Sequence, residues 1–362
     1  MIVERALYYS KSGLADRVLE IRRRACALRR AIGLASGKVM TRLPGQTDAP
    51  DVVWECHFHS TAEHRADLAA RAASPAFEAV RAEMKSAIDG FERQVFEEDV
   101  APLANGMRPV DLEGLAIVPR KMTFQSAGRT LHGFLFLPPG QGPFPCLVCN
   151  HGSGIEPGSL DVSRPGTAAR FLSWGIASFI PHRHGYGRSP GPAWRSEVSA
   201  EFGTDAYDSQ LLARLDAESD DVIAALDFLV TIPEIDPRHI GVVGSSFGGI
   251  NTLFAASKDA RFTCAVDFAG GAMNWDRTPA LRAAMLTAAA KTRVPLLLMQ
   301  AANDYSIRPT LELVDSLKDH PQPVRSRIFP ALGITAMEGH LLESTGGLLW
   351  EREMHLFLER YL

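Results

Sequence analysis

Long apolar runs are missing from this 362-residue sequence, and so is a surplus of charge of either sign. The run from Val294 to Met299 has the length of a strand and falls far short of the ~20 residues that cross a bilayer, so no membrane partner is expected. A formal charge of −4 leaves no general basic excess to attract nucleic acid or an anionic lipid surface. Cysteine is sparse and odd in number. Cys26, Cys56, Cys146, Cys149 and Cys264 sit within apolar patterns and form no disulfide framework. Met1-Ile2-Val3-Glu4-Arg5 brings charge at once, with no apolar core of signal-peptide length behind it. The expected setting is therefore cytoplasmic, with reduced thiols. Cys146 and Cys149 make a C-x-x-C without a second pair, inside a strand-like run, which favours buried packing over zinc or redox chemistry.

What is present divides into two grammars. Residues 1–98 read as strand, helix, strand, strand, helix, strand. Val3 to Tyr9 is the first strand, and Ser12 is expected to cap a helix with Leu14, Val18, Ile21, Ala25, Leu28 and Ile32 on one stripe. Arg22, Arg23, Arg24, Arg29 and Arg30 fall mostly off that stripe, and Gly33 closes the helix. Strands follow at Ser36 to Leu43 and Val52 to His59, then helices opened by a Ser60/Glu63 capping box and by Ser74-Pro75. Phe91 to Phe96 supplies the last strand. A sheet covered by helices on one side only leaves its other face seeking a partner. Glu55, His57 and His59 alternate along one strand, with His64 nearby, and read as a polar sheet face; no metal site is expected.

Residues 99–111, with Pro102, Gly106 and Pro109, lack periodicity and read as a linker. From 112 to 362 strands alternate with helices, the pattern of an α/β domain whose mostly parallel sheet carries helices on both faces. Lys121 to Gln125 and Thr130 to Leu137 form an antiparallel hairpin across Ala127-Gly128, and Gly347 to Tyr361 is the closing helix.

The segment that carries chemistry is Ile240-Gly241-Val242-Val243-Gly244-Ser245-Ser246-Phe247-Gly248-Gly249, an apolar strand running through G-x-S-x-G into a helix. A serine hydroxyl is a weak nucleophile and must be held out at the end of a rigid strand; the flanking glycines permit the sharp turn. The base that activates Ser246 and the carboxylate that orients it are expected later, in the order acid then histidine, after successive strands. Asp304 stands just past the strand Pro295 to Gln300, and His340 lies in the loop after the strand Arg325 to Phe329. An oxyanion is expected to be held by the backbone N–H groups of Phe247 and of Ser153, the latter in His151-Gly152-Ser153-Gly154. His151, Tyr186, Trp194 and Trp275 are candidate substrate contacts, the tryptophans on two long connections, Ser189 to Asp216 and Gly270 to Lys291. His182, Arg183 and His184 read as a loop salt bridge.

His151-Gly152-Ser153-Gly154, Gly185-Tyr186-Gly187-Arg188-Ser189, Gly244 to Gly249, Asn303-Asp304 and Gly339-His340 together resemble the dienelactone-hydrolase-like and prolyl-oligopeptidase-like branch of the α/β-hydrolases. The resemblance implies hydrolysis of a small-molecule carboxylic ester or lactone through an acyl-enzyme, with no metal or organic cofactor. Residues 1–98 resemble, in element order, the ferredoxin-like dimeric α+β-barrel families, which implies a homodimer formed through that domain. Three alternatives stay open: an oxygenase-like activity in the first domain, action of the hydrolase on peptides or C–C bonds, and a hydrolase fold used only for binding.

Overall fold

A computed structural model describes residues 1–98, 101–159 and 162–362. The chain divides into two compact units, Met1–Ala101 and Pro102–Leu362. The predicted linker begins at Asp99 and Val100, which lie outside the described residues. From Pro102 onward it is not free chain. Met107 is buried in the second unit, Asn105 Nδ2 donates to the Leu358 carbonyl at 3.2 Å, and Arg108 N donates to Trp174 O at 3.0 Å. Prolines and glycine removed the periodicity there without removing the packing.

In the first unit β1 (Ile2–Ser10), α1 (Ala15–Ala31), β2 (Lys38–Thr41), β3 (Val52–Phe58), α2 (Thr61–Ala72), α3 (Pro75–Ala87) and β4 (Ile88–Glu97) build an antiparallel sheet in the order β2-β3-β1-β4. Alternation sends Ala6, Tyr8, Trp54, Cys56 and Phe58 into a core with Val18 and Ile21 of α1 and Met84 of α3. Ser74 caps α3 ahead of Pro75, as expected, and Ser60 Oγ accepts from Glu63 N. The Glu63 carboxylate turns back to His59 N, not to Ser60, so the capping box is only half formed. Ser12 does not cap α1, whose N-cap is Leu14 without a side-chain bond. Arg22 and Arg29, placed off the apolar stripe by their spacing, are both buried, with their guanidinium groups 4.6 and 4.7 Å from the Trp54 ring. Glu55 and His57 share the other sheet face with Arg5, joined at 2.6 and 2.9 Å, whereas His64 lies on the helix side against Glu4. The histidines of this region therefore do not converge.

The second unit opens with the hairpin β5 (Arg120–Ser126) and β6 (Arg129–Phe136), turned through positive φ at Ala127 and Gly128. It continues as β7 (Phe144–Asn150), α4 (Pro165–Ser173), β8 (Ala177–His182), α5 (Trp194–Glu197), α6 (Asp205–Leu229), β9 (Ile235–Ser245), α7 (Phe247–Lys258) and β10 (Ala265–Phe268). Then come α8 (Pro279–Lys291), β11 (Leu296–Ala301), α9 (Arg308–Ser316), β12 (Val324–Phe329), α10 (Ala336–His340), α11 (Leu342–Thr345) and α12 (Gly347–Tyr361). Among the described residues the sheet has eight strands in the order β12-β11-β10-β9-β7-β8-β6-β5, parallel from β12 to β8 and antiparallel at β6 and β5.

Both faces are covered. Val148, Val242 and Leu298 point to α6, α7 and α8, while their neighbours Leu147, Val243 and Leu297 point to α4 and α12. Each such side chain withdrawn from water contributes about 1.5–3 kcal/mol. Cys146 and Cys149 belong to this packing, and burial pushes both thiols far up from their ordinary pKa. α6 shortens the expected loop between Ser189 and Asp216: it begins at Asp205, capped by Thr204 Oγ1 on Tyr207 N. No helix among the described residues is long and apolar enough to cross a membrane.

Candidate active site

Ser246 stands between β9 and α7 with φ 60° and ψ −122°, a conformation that an L-residue occupies only under constraint. The constraint comes from the neighbours. A Cβ at Gly244 would lie 2.2 Å from Gly248 O, and one at Gly248 would lie 2.1 Å from Asn150 O. Only glycine permits β9, α7 and β7 to approach so closely. Ser246 N donates to Phe268 O at 2.9 Å, tying the turn to β10.

Three distant side chains meet here. His340 Nε2 lies 2.9 Å from Ser246 Oγ, and His340 Nδ1 lies 2.8 Å from Asp304 Oδ1. Asp304 and His340 are buried, and Ser246 is half-buried. His340 is not in an irregular loop as expected. It ends the short helix α10, whose start is fixed by a complete capping box between Thr335 and Glu338.

The carboxylate is oriented by its own loop. Asp304 Oδ1 accepts from Tyr305 N at 2.7 Å, and Oδ2 accepts from Gln300 Nε2 at 2.9 Å. Gln300 is held in turn by Thr310 Oγ1, 2.7 Å from its Oε1, and by donation to Ser306 O at 3.0 Å. Asn303 fastens this loop to the histidine's: its Nδ2 donates to Leu332 O and Thr335 O at 3.0 and 2.9 Å, and its Oδ1 accepts from Leu332 N at 2.9 Å. Gln300 and Asn303 carry no catalytic signature in sequence beyond their nearness to Asp304.

The glycine-bearing loop after β7 lies over the turn. A Cβ on Gly152 would sit 3.3 Å from Ser246 Cβ and 3.8 Å from its Oγ, so this backbone passes close to the hydroxyl. Phe247, the first residue of α7, presents a first-turn N–H of the kind that has no partner within its own helix. Trp194 packs edge-on against the ring of Phe247, the residue after Ser246, at 5.1 Å, and unlike the other candidate contacts it is only partly buried.

The other three candidate contacts are corrected by burial. Trp275 is enclosed in the core. Tyr186 is fully buried and its hydroxyl donates to Glu218 Oε1 at 3.0 Å. His151 is also fully buried; burial first, and then the Arg183 charge, hold its imidazole well below the usual pKa, so it is neutral. These groups belong to a scaffold beneath the site. Arg183 Nε pairs with Glu218 Oε2 at 2.7 Å and its Nη2 donates to His151 O at 2.8 Å. Arg214 Nε holds the second Glu218 oxygen at 2.7 Å, and Asn251 links Glu218 to Phe247 O. Burial favours the neutral Glu218 carboxyl, but the two guanidinium groups outweigh it and keep its pKa below the ordinary value. The expected salt bridge in the 182–184 segment is present: besides Arg183, His184 Nδ1 lies 2.5 Å from Asp221 Oδ2.

One titratable group near the triad escaped the sequence reading. Asp267, on β10, is buried, and its Oδ1 accepts from Gly270 N at 2.9 Å. Burial, assisted by the Asp304 charge, pushes its pKa up from 3.8 to about 7. Protonation of Asp267 is thus favoured more in the folded than in the unfolded chain. Its charge exacts no folding penalty below the ordinary carboxylate pKa; the penalty grows as pH rises towards 7 and is complete above it. Asp267→Asn is expected to flatten that decline. Between pH 4 and pH 8 the melting temperature of the wild type should fall further than that of the variant, by about 2–4 °C per kcal/mol of penalty removed. Parallel pH profiles of melting in the two proteins would refute this assignment.

The comparisons with known proteins agree with this architecture. Residues 167–288 match the prolyl oligopeptidase family (Peptidase_S9). Dipeptidyl-peptidase 5 of Porphyromonas endodontalis is 23% identical over 218 residues, 52% of this chain and 29% of that protein. An acetyl esterase of Xylanibacter ruminicola is 23% identical over 147 residues, 38% of this chain and 32% of that protein. The chain thus spans about a third of the length of these curated relatives. Among solved structures, the acylaminoacyl peptidase of Pyrococcus horikoshii superposes with a TM-score of 0.52 at 21% identity, over 67% of this chain and 42% of that one. The acetyl xylan esterase of Paenibacillus sp. R4 superposes with a TM-score of 0.50 at 21% identity, over 72% of this chain and 90% of that one. The second unit has the α/β-hydrolase fold, and residues 167–288 within it are similar to the prolyl oligopeptidase family.

Proposed function

We propose that the second unit hydrolyses a carboxylic ester through a covalent acyl-enzyme, with Ser246 as nucleophile, His340 as general base and acid, and Asp304 as the carboxylate that orients the imidazole. The observation that carries this reading is the unbroken chain Ser246 Oγ, His340, Asp304, at 2.9 and 2.8 Å. The hydroxyl proton passes to His340 Nε2 as Oγ attacks the carbonyl carbon. The carbonyl oxygen becomes an oxyanion, held by the N–H of Phe247 and a second N–H from the Gly152-Ser153 loop, with Ser153 the assigned donor. His340 then returns the proton to the departing alkoxide. Water, activated by the same imidazole, releases the acid and restores Ser246. Trp194, half-buried and backed by the buried Phe247 ring, is the assigned apolar contact for the acyl group.

An ester is favoured over a peptide because the named acetyl xylan esterase is matched over 90% of its length, whereas the named acylaminoacyl peptidase is matched over 42%. Peptide cleavage is the second reading, supported by the match of residues 167–288 to the prolyl oligopeptidase family. Matched p-nitrophenyl acyl esters and aminoacyl p-nitroanilides, assayed on the same preparation, separate the two. The expected result is turnover of short acyl esters and stoichiometric labelling of Ser246 by a fluorophosphonate. Preference for the anilides would transfer the assignment to peptides. Absence of both labelling and turnover would remove the hydrolase reading.

A further inference from the structure

The first unit encloses a cavity of about 520 Å³ between its sheet and its helices, within the range of small-molecule sites. Ala6 and Ala25 keep it open, Phe77 and Met84 make it apolar, and the half-exposed Phe91 lines it, with its ring 5.3 Å from that of Tyr8. Arg22 lines it too, although it is 5% exposed.

The charges around this cavity do not balance. Arg29 is paired with Asp67, and Arg71 shares Asp67 and Glu4. Glu4 is saturated: Arg93 Nε and Arg71 Nη2 reach it at 2.9 Å and His64 Nε2 at 2.8 Å. Burial favours the neutral Glu4 carboxyl, but Arg71, His64 and Arg93 together lower its pKa, so it is an anion already in use. Arg22 has no such partner. Its Nη1 donates to Tyr8 Oη at 3.1 Å, its Nη2 reaches only Cys26 Sγ at 3.7 Å, and its Nε has no acceptor. Among the described residues no carboxylate is paired with it. A buried guanidinium without a counter-charge is an expensive arrangement, which an anionic ligand would relieve. The phenol of Tyr8 accepts from Arg22 and keeps its own proton available to the same ligand.

We propose that this cavity is a binding site for an amphiphilic carboxylic acid, its carboxylate on Arg22 and the Tyr8 hydroxyl and its aromatic or aliphatic body among Ala6, Ala25, Phe77 and Met84. Among the described residues Arg22 is the one buried cation of the lining without a carboxylate partner, Lys85 being exposed and Arg81 paired with Glu78, and a single buried charge favours a carboxylate over a phosphate dianion. The site is independent of the Ser246 chemistry and stands or falls separately from it.

Calorimetry on the full chain tests the assignment with 2-naphthoate and with 2-naphthol, which keeps the rings and lacks the carboxylate. The naphthoate is expected to bind in the micromolar range and the naphthol at least about tenfold more weakly. Arg22→Met, which keeps the apolar stem, should bring naphthoate down to the naphthol level. Leu68→Trp, which fills the cavity from its wall, should abolish binding of both. No binding of naphthoate up to roughly 5 mM, or equal affinity for the naphthol, would overturn the proposal. So would unchanged naphthoate affinity in Arg22→Met. If that variant shows no cooperative melting, unchanged affinity in Tyr8→Phe and Leu68→Trp overturns it equally.

Discussion

Replacing Ser246 by alanine is expected to lower kcat on a p-nitrophenyl ester by about 10⁴–10⁶-fold while leaving KM and the melting temperature close to those of the wild type. The size follows from what the hydroxyl does. In the proposed mechanism it is the atom that bonds to the carbonyl carbon, and His340, 2.9 Å from it, acts as its base rather than as a second nucleophile. The residual rate comes from the oxyanion donors and from binding, which alanine leaves in place. The fold is spared for a local reason. The turn is imposed by Gly244 and Gly248 and by the bond from Ser246 N to Phe268 O, none of which uses the serine side chain. Alanine therefore inherits the same φ of 60° at a cost similar to that of serine. Steady-state kinetics and thermal melting of the two proteins check both halves. Turnover within about tenfold of the wild type would mean that another group is the nucleophile.

The geometry of the candidate site was legible in the sequence where it rests on local backbone demands. G-x-S-x-G marks a turn that other residues cannot make, and the clashes at Gly244 and Gly248 are the physical content of that pattern. Asp304 and His340 were legible by order, because a parallel sheet delivers the ends of successive strands to one rim. Depth was not legible. His151, Tyr186 and Trp194 all follow strand ends, yet only Trp194 lies beside Phe247, while His151 and Tyr186 lie in the Arg183–Glu218 scaffold. Chain position says which rim a residue joins and nothing about which side of the loop it faces.

Buried polarity hid the rest. The start of α6 was read as loop because Asp208, Arg214 and Glu218, all buried, break its apolar stripe. Asp267 was passed over for a related reason: a carboxyl in a four-residue apolar strand gives no periodic signal of its own. In the first unit Arg22 and Arg29 were placed outside because arginine normally is, and the Trp54 ring that receives them is 32 and 25 positions away in sequence. For Glu218, Arg214 and Arg29 a partner of opposite charge offsets the cost of burial, Arg22 has the Trp54 ring without a counter-charge, and a single sequence displays neither arrangement.

Asp304→Asn should be nearly as damaging as loss of the nucleophile, about 10³–10⁴-fold in kcat/KM, and the surrounding hydrogen bonds say why. In the wild type Oδ1 accepts from Tyr305 N and faces His340 Nδ1, and Oδ2 accepts from Gln300 Nε2. An asparagine has one oxygen for these two positions. If its oxygen takes the Oδ1 place, its amide hydrogens point at the Gln300 amide, donor against donor. Gln300 cannot turn over to relieve this without losing its bond to Ser306 O and setting its own oxygen against that carbonyl. If the asparagine is reversed, its NH₂ faces Tyr305 N–H and His340 Nδ1. The imidazole must then accept at Nδ1 and carry its proton on Nε2, which turns a donor towards Ser246 Oγ and removes the base. Either arrangement also withdraws the charge that steadies the imidazolium. Asp304→Asn together with Gln300→Glu, measured beside the single variant, separates the two costs: a protonated glutamic acid can accept from the asparagine amide, so the double variant should regain stability while kcat/KM stays low. Recovery of both together would show that Asp304 serves the fold rather than the imidazole.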